Sequence, residues 1–153
     1  MNKTLIAAVL ALAALPAHAL SLRETAEMAR VREASANFSD IGWRRHPDDR
    51  AVGAFSQVWT APFAGASHRA RALIAASVFH RYSGDEDFPQ GLALDSLLDR
   101  DDQMRALILG LTWRFVFSLS ASAAGELAHY RLRQTPSKVI LEVPAHREAV
   151  AGE

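Results

Sequence analysis

Apolar residues recur at helical spacing along most of the chain. Val31, Ala34, Phe38 and Ile41 share one face of a helix predicted from Ser21 to about Asp40. Ser21-Leu22-Arg23-Glu24 reads as its capping box, with Leu20 as a hydrophobic staple. A second helix runs from about Asp49 to Thr60, with Val52, Phe55, Val58 and Trp59 inward. Pro62 and Gly65 end it. Ser67 caps a third, from about His68 to Tyr82, built around Ala70, Leu73, Ile74, Ser77 and Val78 and closed by Gly84. Leu92 to Leu98 predicts a short helix. The longest follows from about Gln103 to Ala121, capped by Asp101 or Asp102. Between Leu107 and Leu119 it is apolar nearly all round, interrupted chiefly by Arg114, which marks a helix central to its bundle. Alternation then replaces helical spacing. Tyr130 and Leu132, then Val139 to Val143, flank a turn at Thr135-Pro136-Ser137. The pattern predicts a mainly α fold, a helical bundle with a C-terminal β-hairpin at about 127–144.

The stretch Asn37 to Arg50 joins the first two helices. Gly42 is suited to the left-handed conformation that ends a helix, letting Trp43 fold back over the helix end. Pro47 stops any continuation, and Asp48 or Asp49 is placed to cap the next helix. Asp40, Arg44, Arg45, His46 and Arg50 thus crowd around an apolar joint.

Composition narrows the chemistry. The 153 residues hold 17 basic and 17 acidic side chains, so no global charge draws the chain to nucleic acid or to a membrane surface. With no cysteine, disulfides, thiolate metal sites and a cysteine nucleophile are excluded. The N-terminus reads as a secretory signal over residues 1–19. Lys3 gives the positive start, Leu5 to Leu15 the apolar run, and Ala17-His18-Ala19 a small-x-small cleavage site. A run of that length falls short of the roughly 20 apolar residues a spanning helix needs. On this reading the mature chain, 20–153, is periplasmic or secreted and free of the membrane.

Ser39-Asp40-Ile41-Gly42-Trp43, followed by His46-Pro47-Asp48 and Arg50, resembles the C-terminal helical region of the exopolyphosphatase / guanosine-pentaphosphate phosphohydrolase family. Two further stretches fit in order: Ser67-His68-Arg69-Ala70-Arg71-Ala72-Leu73 running to His80-Arg81-Tyr82, and Arg105-Ala106-Leu107 through Leu109-Gly110-Leu111, Arg114 and Leu119-Ser120. The resemblance covers about residues 30 to 153 and leaves the signal segment outside the family pattern. It implies an HD-like helical bundle. It also implies that the actin-like fold, which carries the family's hydrolysis near its N-terminus, is not in this sequence. The chain looks trimmed relative to the family at both ends. The family works mainly in the cytoplasm, which gives the alternative location.

The HD class of helical phosphohydrolases places histidines and aspartates around a divalent metal that activates water. By that likeness Asp40, with His46, His68 and His80, is a weak metal site for magnesium or manganese, and Asp40 a weak catalytic candidate. At the paired position stands Ser39, which has no imidazole to give. A structural role for Asp40 is favoured instead: pairing with Arg114, since both are framed by inward residues. Arg44, Arg45, His46 and Arg50 at the joint, and His68, Arg69 and Arg71 at the start of the third helix, form the candidate anion-binding set, against a plain solvated arginine face. No nucleophilic-serine setting and no glycine-rich phosphate loop is present.

The sequence therefore reads as an accessory helical domain, non-catalytic alone and needing no cofactor. Its expected partner is polyphosphate or another phosphorylated ligand, a separate catalytic domain, or a second copy of itself. Two readings stand beside it: a small metal-dependent HD-type phosphohydrolase, and a truncated gene fragment.

Overall fold

The computed structural model describes residues 25–85, 88, 94, 96–120, 125–135 and 138–143. As the apolar pattern predicts, the protein is mainly α-helical with one small antiparallel sheet. Residues 25–114 belong to one compact unit and those from Phe115 onward to another.

Helix α1 spans Ala26–Phe38. It starts at Thr25, whose hydroxyl accepts the Met28 N–H at 3.2 Å. Threonine supplies the same acceptor chemistry as the serine expected four residues earlier. The capping box at 21–24 and Leu20 lie outside the described residues. Val31 is buried, and Ala34 and Phe38 half-buried, but Ile41 is exposed. The closest-packed positions go instead to Ser35 and Ser39. Their hydroxyls donate to the Val31 carbonyl at 2.7 Å and the Ser35 carbonyl at 2.6 Å. A hydroxyl that returns its hydrogen to the preceding turn can be buried without an unmet donor.

Successive turns carry the chain from Phe38 to Arg45. Gly42 takes no left-handed conformation here; that is found at Gly65, Gly84 and Gly125. It is a glycine for want of space, since a Cβ would stand 2.9 Å from the Tyr82 ring and 3.0 Å from the Ala54 methyl. Trp43 does not fold back over the helix end and is 56% exposed. A 3-10 turn, Pro47–Asp49, leads into helix α2, Arg50–Thr60. The side chain of Asp49 makes no capping bond; the His46 ring accepts the Asp48 N–H at 3.4 Å instead. Ala54, Phe55 and Val58 are buried, whereas Val52 is exposed. At about 100° per residue, Val52 falls roughly 110° from the centre of that buried arc.

Helix α3, His68–Ser83, has the start and stop the sequence predicts. Ser67 accepts the Ala70 N–H at 3.0 Å, and Gly84 ends the helix with φ 72°. Both α1 and α2 pack on it. Residues Ala72 to His80 are buried without a break, so α3, not the longest helix, is central to its unit. Small alanines and Ser77 let neighbours approach from several sides. Helix α4, Arg100–Ser120, begins behind Asp99, whose carboxylate accepts the Asp102 N–H at 2.8 Å. Asp101 and Asp102 therefore sit inside the first turn and do not cap it. Its crossing with α3 is tight: a Cβ at Gly110 would lie 2.5 Å from both the Ser77 carbonyl oxygen and the His80 Cβ. Of the short helix expected over 92–98, the described residues show a turn, with Leu97 and Leu98 N–H groups bonded to the Leu94 carbonyl.

In the second unit a 3-10 turn, Glu126–His129, precedes the hairpin. Strand β1, Arg131–Thr135, pairs antiparallel with β2, Lys138–Glu142, with Arg131 opposite Glu142 and Thr135 opposite Lys138.

Candidate functional site

Tyr82, in the last turn of α3, is where the arginine-rich joint converges. Its hydroxyl oxygen accepts the Gly42 N–H at 2.9 Å, an approach the absent Cβ allows. The Arg81 guanidinium lies 4.3 Å from the centre of the Tyr82 ring and that of Arg50 lies 6.0 Å from it. Arg50 is held in place by its Nε and Nη2, which donate to the Arg45 carbonyl at 3.4 and 3.1 Å. Arg45 runs back across α2, over Gly53, where a Cβ would come 2.6 Å from its Nη1. Arg44 stacks on Trp43 at 4.8 Å. From α4, Arg114 Nη1 donates to the carbonyls of Arg81 at 3.2 Å and Tyr82 at 2.9 Å, closing the end of α3.

The charges at this point act on one another. Burial is the main cause that lowers the Arg81 pKa, and the nearby Arg114 and Arg50 lower it further, against Tyr82 and Asp40. Burial also raises the Tyr82 phenol above its ordinary value. Three guanidiniums thus share the surroundings of one tyrosine, with the exposed Asp40 as the carboxylate acting on both Arg81 and Tyr82.

The buried Asp40–Arg114 pair is corrected. Helix α1 ends at Phe38, so Asp40 turns outward with the exposed loop. Arg114 meets its need for acceptors at the carbonyl end of α3. The anion-binding set is divided as well. Arg44, Arg45, His46 and Arg50 lie on the joint, whereas His68, Arg69 and Arg71 open α3. Arg69 is committed elsewhere: it grips the buried Asp102 with two nitrogens and reaches Glu27 at 3.4 Å. His68 is exposed and Arg71 half-buried.

The metal candidates are not gathered. His46, His68 and Asp40 are exposed. His80 is buried against Phe79 and Phe88, with its Nδ1 bonded to the Asp85 carbonyl at 2.8 Å. Among the described residues no three histidines or carboxylates stand together as a metal set. Ser39, at the position of the HD pair, is a buried helix-end hydroxyl.

Sequence reading passed over Tyr82 and Arg81. Both lie in the quoted His80-Arg81-Tyr82, but helical spacing presents them only as the end of a helix. Their partners, Gly42 and Arg50, are 40 and 31 residues away, beyond any local pattern. A separate cavity of about 270 Å³ lies beside α1, lined by Val31, Ala34, Phe63, Ala70 and Ile74 with Arg30 at its edge.

The fold is mainly α, with one small antiparallel hairpin among the described residues. The sequence matches the family pattern described as exopolyphosphatase, C-terminal, over residues 9–153. The chain belongs to that family. The match begins inside the segment read as a signal, so residues 9–19 fall within the family pattern, contrary to the expectation that they lie outside it. Among curated proteins no sequence matches the chain. No helix among the described residues is long and apolar enough to cross a membrane.

Proposed function

We propose that this chain is an accessory helical domain that binds polyphosphate, or another phosphate-bearing anion, and does not hydrolyse it alone. The observation that carries the reading is the convergence of Arg50 and Arg81 on Tyr82, with Arg45 tied to Arg50 through its carbonyl. Guanidinium forks match phosphate oxygens, and side chains already held by the protein lose less freedom on binding. Arg44 and His46 extend the surface along the same turn. Arg69 leaves the ligand set because its fork is engaged by Asp102.

Binding of fluorescent polyphosphate tests this. It is expected at low salt and should fade as salt is added. Replacing Arg44, Arg45 and Arg50 together by glutamine should abolish it. Equal binding by that variant would overturn the reading. The same samples should show no release of phosphate from polyphosphate or guanosine pentaphosphate, with or without magnesium or manganese. Turnover lost in Asp40→Ala but kept in a surface control would favour the metal phosphohydrolase instead. A separately encoded catalytic domain of the family is the partner expected to supply hydrolysis.

Export rests on Lys3, the apolar run Leu5 to Leu15 and Ala17-His18-Ala19, and it expects a mature chain starting at Leu20. The family match from residue 9 weighs against it. Intact mass separates the two: loss of residues 1–19 supports export, and retained Met1 in cytoplasmic material supports the family's location.

A further inference from the structure

The hairpin presents an outer edge. Among the described residues its sheet consists of β1 and β2 alone. The Lys138 N–H and carbonyl both turn inward, to the Thr135 hydroxyl, at 3.1 and 2.9 Å. Inward and outward backbone groups alternate along an antiparallel strand. Ile140 and Glu142 therefore address β1 together with Lys138, and the backbone N–H and carbonyl groups of Val139 and Leu141 face outward. Natural sheets protect such an edge with a bulge, a proline or a charge in mid-strand. Strand β2 has none of these. Its register against β1 runs without a bulge, and its three middle residues are Val139, Ile140 and Leu141. Its charges sit at its two ends, Lys138 at one and Glu142 at the other, both exposed.

The order Lys138-Val139-Ile140-Leu141-Glu142 is complementary to its own reverse, with opposite charges at the ends and apolar residues between. We propose that β2 is an edge for self-association, pairing antiparallel with β2 of a second copy about a two-fold axis at Ile140. That register sets Lys138 opposite Glu142 of the second copy, twice by symmetry. It sets Val139 opposite Leu141, so their outward N–H and carbonyl groups exchange hydrogen bonds. An axis at Val139 or at Leu141 also pairs outward groups, but it leaves the charged ends without an opposite charge. Cross-strand charge pairing therefore selects Ile140. Glu142 lies 3.3 Å from Arg133 of its own hairpin yet stays 49% exposed, so in the joined sheet it stands between two cations. Association turns two lone hairpins, each marginal in water, into one sheet of four strands. The edge uses no residue of the arginine joint and is independent of the anion-binding reading.

Sedimentation of the full chain over a range of concentrations tests the edge, with circular dichroism confirming that each variant folds. The wild type should form a dimer that dissociates on dilution. Lys138→Glu turns both opposite-charge pairs into like-charge pairs and should weaken the dimer about tenfold. Ile140→Cys gives a chain without cysteine a single thiol. Facing residues of a non-hydrogen-bonded pair lie about 4.5 Å apart, within reach of a disulfide. Oxidation should therefore link two Ile140→Cys chains. Leu141→Cys, two residues out of step with its own copy, should stay unlinked. The cross-link at 140 keeps the test valid if Lys138→Glu folds poorly. A wild type that stays monomeric at every concentration overturns the edge. A dimer that Lys138→Glu leaves unchanged, or cross-linking at Leu141→Cys and not at Ile140→Cys, also overturns it.

Discussion

Arg69 holds Asp102 with two parallel hydrogen bonds, Nε to Oδ2 at 2.6 Å and Nη2 to Oδ1 at 2.5 Å. Arg105, one turn along α4, adds a third bond to Oδ1 at 3.0 Å. The carboxylate is 1% exposed, whereas the Arg69 side chain is 40% exposed. The pair ties the first turn of α3 to the first turn of α4. It also draws Arg69 out of the anion-binding set.

Removing Arg69 leaves Asp102 buried with Arg105 as its remaining cation. Breaking a buried pair typically costs about 3–5 kcal/mol, and the exposure of Arg69 places this case near the lower end. Arg69→Met should lower stability by that amount in urea denaturation, and Asp102→Leu in the same background should recover part of it. Full additivity of the two changes would show that the pair contributes nothing.

Arg114 should behave as the cap of α3. Arg114→Met removes donors from the Arg81 and Tyr82 carbonyls, at a cost of about 1.5–3 kcal/mol for bonds from a charged group. Combined with Asp40→Ala, the coupling should stay near the low end of the roughly 0.5–3 kcal/mol found within one network, because the two meet through their shared neighbour Arg81. A coupling well above that would restore the Asp40–Arg114 pair.

Gly110→Ala should destabilise the protein although alanine is the better helix former. The propensity gain is at most about 1 kcal/mol. The new methyl would meet the Ser77 carbonyl oxygen at 2.5 Å, and backbone cannot swing aside. Overpacking of this kind costs about 1–3 kcal/mol or more and requires α3 and α4 to separate. An unchanged or raised melting temperature would contradict the crossing.

Stability should fall in mild acid on account of His80. Burial lowers its imidazole pKa below the ordinary 6.5, outweighing the raising effects of the Asp85 carbonyl and charge. The unfolded chain therefore binds a proton before the folded chain does. This contribution is constant above about pH 6.5 and declines as the pH falls below it, until the folded form is protonated too. Melting temperatures from pH 8 to 5 should show the decline, and His80→Gln should flatten it. A slope unchanged in His80→Gln would place the acid sensitivity elsewhere.

The helical class, the C-terminal hairpin, the family and the limits of α3 are legible in the order of residues. Those features have local causes: apolar spacing, the Ser67 hydroxyl facing free N–H groups, and a glycine able to take φ 72° at position 84. Which polar groups meet is set by how the helices pack. In sequence Asp40 is framed by Phe38 and Ile41 and Asp102 by Asp101 and Gln103, so the pattern favours Asp40 as the buried acid. Asp40 turns outward because α1 ends at Phe38. Asp102 is driven inward because Asp99 caps α4 ahead of it and Arg69 waits across the helix pair. Gly42 reads in sequence as a helix end and Gly110 as part of an apolar helical run, yet both mark close approach, by the Tyr82 ring and the α3 backbone respectively. Spacing along one helix specifies which face is apolar. It carries no information about which distant chain comes near enough to bond, and the site at Tyr82 is made from that proximity.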